Sequence, residues 1–289
     1  MTAIARGLSG LPPEGAQFLR ADRSLPGAYD AVEGEFVEII ELSYEPLLVD
    51  SALAALARRT SHWTLVSSIS VYAPPWAAGG TENDALVDPQ DLAQYPDAKA
   101  AAENKSRQAL SKKLSIIRPD LIAGPGDLSD RLGYWMNRMA GLGPVLIPEN
   151  RSRPVQFIEV RDLAGPIAGG GLPEVIDAVK PSMSFEQFLA VAAHVADYRG
   201  EFVLSPDSWL VEQGANYWAE ERSLSLWLPT EDQNMLNRAG TPFTTSPRPL
   251  EQILSDVLAD EKHRGLHRKR RSGLSRDFEL SLVAEFQRP

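Results

Sequence analysis

The chain has 289 residues, 43% hydrophobic and 24% charged, with a net charge of −10 and no cysteine. That composition is globular and sufficient for one large domain or two modest ones. It excludes disulfide stapling, thiolate catalysis and cysteine-based zinc sites, and a reducing cytoplasm is the expected setting. The start, "MTAIARGLSG", has neither the basic nor the apolar region of a signal peptide, and no apolar run approaches the ~18 residues of a membrane helix.

Strands and helices alternate along the first part. "TAIAR" (2–6) predicts a strand, as does "FVEIIEL" (36–42). "PLLVDSALAALARR" (46–59) predicts a helix, with Leu47, Leu48, Ser51, Ala55 and Leu56 at helical spacing and Pro46 in its first turn. "WTLVSS" (63–68) predicts an apolar strand, and the alanine-rich 96–113 a helix. "LSIIRP" (114–119) and "PVQFIEV" (154–160) predict two more strands. Apolar strands alternating with helices imply an α/β fold, a Rossmann-type doubly wound parallel sheet with helices on both faces. Beyond about residue 180 the pattern turns helix-rich, with helices expected over 184–200 and 248–265 and a strand at 201–205. The expected division is 1–123 plus 154–180 for a dinucleotide-binding domain, and 124–153 plus 181–289 for a smaller C-terminal substrate domain.

The serines in "SSISVY" (67–72) are unusual where a core strand surfaces. Downstream, Tyr95 and Lys99 form Y-x-x-x-K in "QYPDAKAAAE". Proline places Tyr95 at the helix mouth, and Lys99 lies one turn on along the same face. An adjacent ammonium favours the phenolate of a tyrosine, whose ordinary pKa is ~10, so that a proton can pass to or from a substrate oxygen. A serine hydroxyl at the end of the neighbouring strand can hold that oxygen, in the place where open α/β sheets gather ligands.

The pieces "VSSISVY" (66–72), "YPDAKAAAE" (95–103), "IIRPDLIAGPGD" (116–127) and "VQFIEVRDLA" (155–164) resemble an extended short-chain dehydrogenase/reductase of the NAD-dependent epimerase/dehydratase type. The resemblance implies an NAD(P)-dependent oxidoreductase or epimerase with Ser68, Tyr95 and Lys99 as its catalytic triad. It implies that Lys99 also holds the nicotinamide ribose, that Pro119 and Ile122 face the nicotinamide, and that Asp22 lies beside the adenine. It adds Arg23, Ser67 and Tyr95 to the cofactor contacts. Arg6 stands where relatives that prefer NADP meet the 2′-phosphate, so NADP is favoured over NAD. Arg131, Tyr134 and Trp135 are weaker candidates for the substrate side. A small-molecule substrate is expected, and a homodimer by analogy.

The glycine-rich G-x-x-G-x-x-G turn of that family, which cradles the pyrophosphate at a helix N-terminus, is absent. "GLSG" (7–10) and "AGGGLP" (168–173) do not substitute, since no suitable helix follows either. The expectation is that the first family strand and its loop, about one β-turn-α unit, are missing from the sequence.

Four histidines offer little. His263 and His267 have a ligand-like spacing without a third partner, and His62 and His194 stand alone. Arg153 lies near, but not at, the position of a phosphate-binding arginine in sugar-nucleotide relatives. Trp209, Trp218, Trp227 and Tyr217 read as core, with the lining of a substrate pocket as the alternative. The segment 262–276 holds seven Lys/Arg and no acid. It reads as a solvated, partly mobile linker, in a chain too acidic overall for nucleic acid. An alternative reading is a non-enzymatic relative that senses a cofactor or binds RNA through Arg268–Arg271, and a third is an inactive remnant.

Overall fold

The computed structural model describes residues 1–289 apart from 9, 11, 13, 241, 242 and 289; part of the "GLSG" stretch, Ser9, therefore lies outside the described residues. The chain divides into two compact units. One comprises 1–73, 84–118 and 171–177, the other 74–83, 119–170 and 178–289.

The first unit holds β1 (Thr2–Ala5), β2 (Gln17–Arg20), β3 (Phe36–Glu41), α1 (Pro46–Leu56), β4 (Thr60–Val66), α2 (Tyr95–Leu110) and β5 (Leu114–Pro119) up to Arg118. A four-stranded sheet runs in the order Val175–Ala178, β5, β4, β3. The pairs β3–β4 and β4–β5 are parallel, with Ile39 opposite Trp63 and Leu65 opposite Ile116. β4 and β5 read as apolar runs because they are covered: Trp63, Leu65, Ile116 and Ile117 are fully buried. The α/β class with a parallel sheet is as expected.

β1 and β2 form a separate parallel pair, with Ile4 opposite Leu19. Ile4 and Leu19 pack on the same core cluster as Phe36 and Ile39, yet no strand joins β1 to β3 among the described residues. β3 thus keeps an open edge, and its Val37, at 84% exposure, and Ile40 lie in solvent.

Helix α1 begins at Pro46 as expected, but its buried stripe is Val49, Ala52, Leu53 and Leu56. Leu47, assigned to the inner face from sequence, is exposed. Leu, Val and Ala lie on nearly every side of this helix, so hydrophobicity alone does not set its phase. Asp50, which pairs with Lys105 of α2, marks the outer side. α2 buries Ala98, Lys99, Ala102, Glu103, Ser106 and Leu110, a stripe at helical spacing that includes two charged side chains.

The second unit contains β6 (Leu121–Ala123), α3 (Arg131–Ala140), β7 (Val145–Pro148), β8 (Pro154–Val155), β9 (Phe157–Glu159), α4 (Val160–Gly169), α5 (Phe185–Val195), α6 (Asp207–Glu212), α7 (Leu250–Arg264) and α8 (Arg276–Phe286). The single strand expected over 154–160 is two. β8 pairs antiparallel with Met183–Ser184, and β9 pairs parallel with β6. The break falls at Gln156, whose buried amide donates to the carbonyls of Lys180 (2.6 Å) and Arg238 (2.9 Å). In the division into two units, 119–123 and 154–170 lie in the second, whereas the sequence reading groups them with the first.

α5 opens on a capping box made by Ser184 and Gln187. α3 packs against α7 and α5. Their core is aromatic: Trp135 meets Phe185 edge to face at 5.2 Å, and Trp227 is fully buried.

Candidate active site

β4 delivers Ser67 and Ser68 to its carboxyl end. Ser67 is buried and donates to Glu103 Oε1 at 2.6 Å, so its hydroxyl is committed to the interior rather than to a ligand. Ser68 is half-exposed and caps a 3₁₀ turn, Ile69–Val71. Its Oγ accepts from Ser70 N (3.1 Å) and from Ser70 Oγ (3.0 Å). Its own O–H donates in neither bond. Ser70 is therefore the residue that orients Ser68.

The 3₁₀ turn packs on α2. Gln94 stands before the helix in extended conformation and Pro96 occupies its first turn, so Tyr95 opens the helix. Asp97 fixes the entering loop by accepting from Gln90 N (2.7 Å) and Asp91 N (2.8 Å). The Tyr95 side chain is 43% exposed. One turn on, Lys99 is buried, and its Nζ lies 5.9 Å from the Tyr95 ring centre. The ammonium donates to Val66 O at 2.6 Å and to Leu42 O at 3.5 Å. Burial lowers its pKa from 10.5 to about 8, against the opposing pull of Glu41 and Glu103.

Sequence reading missed Tyr44. Its ring meets Tyr95 edge to face at 5.0 Å and sits 5.8 Å from Lys99 Nζ, so two phenol rings flank one ammonium. Sequence reading also missed the polar chain beneath the serines. Glu103 receives Arg118 Nε at 2.9 Å and a terminal Arg118 nitrogen at 2.6 Å. Arg118 donates to the Tyr72 hydroxyl (2.9 Å), which donates to Asp177 (2.6 Å). Burial, then the charge of Asp177, pushes the Tyr72 phenol up. A glutamate one turn beyond Lys99 and an arginine inside "LSIIRP" were the available signals.

Of the expected cofactor contacts in this unit, Arg6 is exposed. Asp22 accepts from Ser24 N (3.0 Å) and Ser24 Oγ (2.6 Å), and these bonds, aided by the charge of Arg6, hold its carboxyl below the usual range. Arg23 is otherwise engaged: it donates to Tyr29 Oη (2.7 Å), Leu48 O (3.2 Å) and the buried carboxylate of Glu41.

Pro119 and Ile122 belong to the second unit, Pro119 buried and Ile122 half-buried in β6. Asp120 is buried beside them. Arg131 stacks its guanidinium 4.9 Å from the Trp218 ring centre. Tyr134 and Trp135 are core residues, which corrects their assignment to a substrate surface. Tyr134 is 1% exposed, and Trp135 donates its indole N–H to Ser225 O at 3.0 Å. Arg153 is likewise enclosed and bound to both carboxylate oxygens of Asp207 (3.0 and 2.9 Å). Tyr217, partly buried, packs on the core residue Trp227 with ring centres 4.1 Å apart and planes tilted by 40°.

The basic segment is not a solvated linker. Arg268 pairs with Asp130 (2.5 Å) and Glu261 (2.6 Å), Arg270 with Glu261 (2.5 Å), and Arg276 with Glu279 (2.5 Å). The three carboxylates are buried and come from α7, α8 and the residue before α3, so most of the run is folded against its own counter-ions. α7 ends at Arg264, leaving His267 off the helix that holds His263. No three His, Asp or Glu side chains gather for a metal among the described residues, and no helix there is long and apolar enough to cross a membrane.

The first unit offers side chains for the two ends of a nicotinamide dinucleotide, without a phosphate turn between them among the described residues. Arg6 and Asp22, neighbours in charge, would hold the adenosine end; Lys99, with Tyr95, would hold the nicotinamide ribose. For the diphosphate, no glycine turn leads from a strand into a helix N-terminus among the described residues. Leu42–Glu45 joins β3 to α1, which starts with Pro46.

No family model matches the chain. A stretch of 130 residues is 30% identical to a ceramide reductase of Caulobacter vibrioides, covering 43% of this chain and only 40% of that protein's length. Among solved structures, WbmF of Bordetella bronchiseptica, in complex with NAD+, superposes with a TM-score of 0.63 at 12% identity, over 91% of this chain and 84% of that one. RMD of Pseudomonas aeruginosa, complexed with NADPH, gives 0.60 at 17% identity, over 90% and 99%. A putative epimerase of Burkholderia cenocepacia gives 0.60 at 19% identity, over 89% of each chain. The fold is the Rossmann-type α/β fold of these structures. In the first unit the sheet is in two pieces, with an open edge on β3 among the described residues.

Proposed function

We propose that this protein is an NAD(P)-dependent oxidoreductase or epimerase acting at a hydroxyl or carbonyl carbon of a small molecule. The observation that carries the proposal is the buried ammonium of Lys99 one helical turn below the half-exposed phenol of Tyr95, on the helix against which the Ser68 turn packs. The likeness to structures solved with NADPH and NAD+, and to a ceramide reductase, supports it.

Each residue then has a role. Tyr95 gives or takes the proton at its Oη. The Lys99 charge stabilises the phenolate form. Ser68, which accepts two bonds from Ser70, keeps its own hydroxyl proton to donate to the substrate oxygen. Val66 O holds the ammonium in place. The nicotinamide, when bound, supplies hydride exchange. Arg6 favours the 2′-phosphate of NADP, because a guanidinium fork matches phosphate oxygens.

Titration with NADPH and NADH, followed by cofactor fluorescence, tests this reading. Saturable binding, tighter for NADPH and weakened in Arg6→Ala, is expected, with Tyr95→Phe binding normally but not turning over. Absence of binding for both nucleotides overturns it, as does full turnover by Tyr95→Phe.

A further inference from the structure

Within the second unit lies a cavity of about 840 Å³, formed by the end of α3, residues 221–222 and the segment 266–276. Six lysine or arginine side chains line it, against a single carboxylate, Glu221. Asp130, Glu261 and Glu279 behind the arginines offset part of that charge, and the balance is still positive in a chain of net charge −10.

The cations fall into two groups. Arg138, Arg268, Arg270 and Arg276 are fixed from behind by Asp130, Glu261 and Glu279. The Nε atoms of Arg268 and Arg270 are buried without a hydrogen-bond partner. Arg222 and Lys269 form the other group and are exposed. Arg222 rests on the Phe278 ring at 4.6 Å, and Lys269 pairs with Glu221 at 3.0 Å, exposed on both sides. Such a pair contributes little to stability and is readily exchanged. Ser275 and Arg276, which open α8, also line the cavity, so the positive end of an 11-residue helix adds to the field.

We propose that this cavity binds a phosphate-bearing small molecule. Arg222 and Lys269 would close on its phosphate oxygens, with Lys269 leaving Glu221, while the locked arginines supply a preset field. Arginine and lysine suit phosphate through charge-assisted bonds. The volume falls within the range of small-molecule sites, roughly 300–1,000 Å³, which favours a whole molecule over a bare ion. This site is independent of the nicotinamide reading, since every residue named lies in the second unit.

Calorimetric titration of the full chain with inorganic pyrophosphate, and separately with inorganic phosphate, tests the proposal. Saturable 1:1 binding of pyrophosphate is expected. Arg222→Ala and Lys269→Ala, both at exposed positions, should each weaken it about tenfold. Glu221→Gln should strengthen it, because the competing carboxylate charge is gone. Binding weaker than about 1 mM overturns the proposal, as does binding indifferent to all three substitutions. Tight binding of labelled RNA that pyrophosphate does not displace also overturns it, in favour of a polyanion surface.

Discussion

The ammonium of Lys99 donates to the carbonyl oxygen of Val66 at 2.6 Å, tying α2 to the end of β4. Burial lowers the pKa of Lys99 from 10.5 to about 8, so between those values the unfolded chain binds more protons than the folded one. Stability therefore rises with pH across that window and carries a constant penalty below it. At 1.36 kcal/mol per pH unit the gain is on the order of 3 kcal/mol. Urea midpoints measured from about pH 7.5 to 10 should climb for the wild type, and Lys99→Met should lose that climb.

Glu103 and Arg118 form a two-bond pair that is almost wholly enclosed, with 1% and 2% of their side chains exposed. Removing one partner strands a buried charge and costs about 3–5 kcal/mol. Glu103→Leu alone should fall in that range by chemical denaturation, while the double replacement Glu103→Leu, Arg118→Met should recover much of the loss.

In the second unit, Asp130 is the shared acceptor for Arg264, Arg268 and the Arg271 backbone N–H. Burial works to raise its pKa, but these bonds outweigh it and hold the carboxyl below the usual range. The stabilisation is present above the ordinary 3.8 and is lost as pH falls through the lowered folded value. Near-ultraviolet circular dichroism, which reads Trp135 and Trp227, should persist near pH 4 in the wild type. Asp130→Asn should lose it at higher pH.

Gly273 has φ +112°, and a Cβ there would come within 2.2 Å of the Tyr134 ring, whereas Gly265 at φ +96° faces open space. Both substitutions to alanine strain the backbone, but only the one at 273 also displaces a buried ring. Gly273→Ala should lower the melting temperature well below that of Gly265→Ala.

The sequence made legible what depends on neighbours along the chain. α2 and β5 follow from an alanine-rich run and an apolar run, and Tyr95 and Lys99 from their spacing at the helix start. What depended on distant partners was hidden. The arginines of 264–276 looked solvated because Asp130, which holds Arg264 and Arg268, lies far upstream in the sequence. The enclosure of Tyr134 and Trp135 depends on α5 and on Ser225. Tyr44 sits in a loop with no local pattern, and only the packing against Tyr95 singles it out. The division of the sheet between β1–β2 and β3–β4–β5 was foreshadowed by the absent glycine turn, but the open edge of β3 emerged only with the strand order.

The Tyr95–Lys99 pair is tested most directly by measuring NADPH binding and turnover side by side in Tyr95→Phe and Lys99→Met. Tyr95→Phe should bind the nucleotide as the wild type does and lose turnover, and Lys99→Met should lose both. Full turnover by Tyr95→Phe would contradict the assignment of Tyr95 as the acid–base residue.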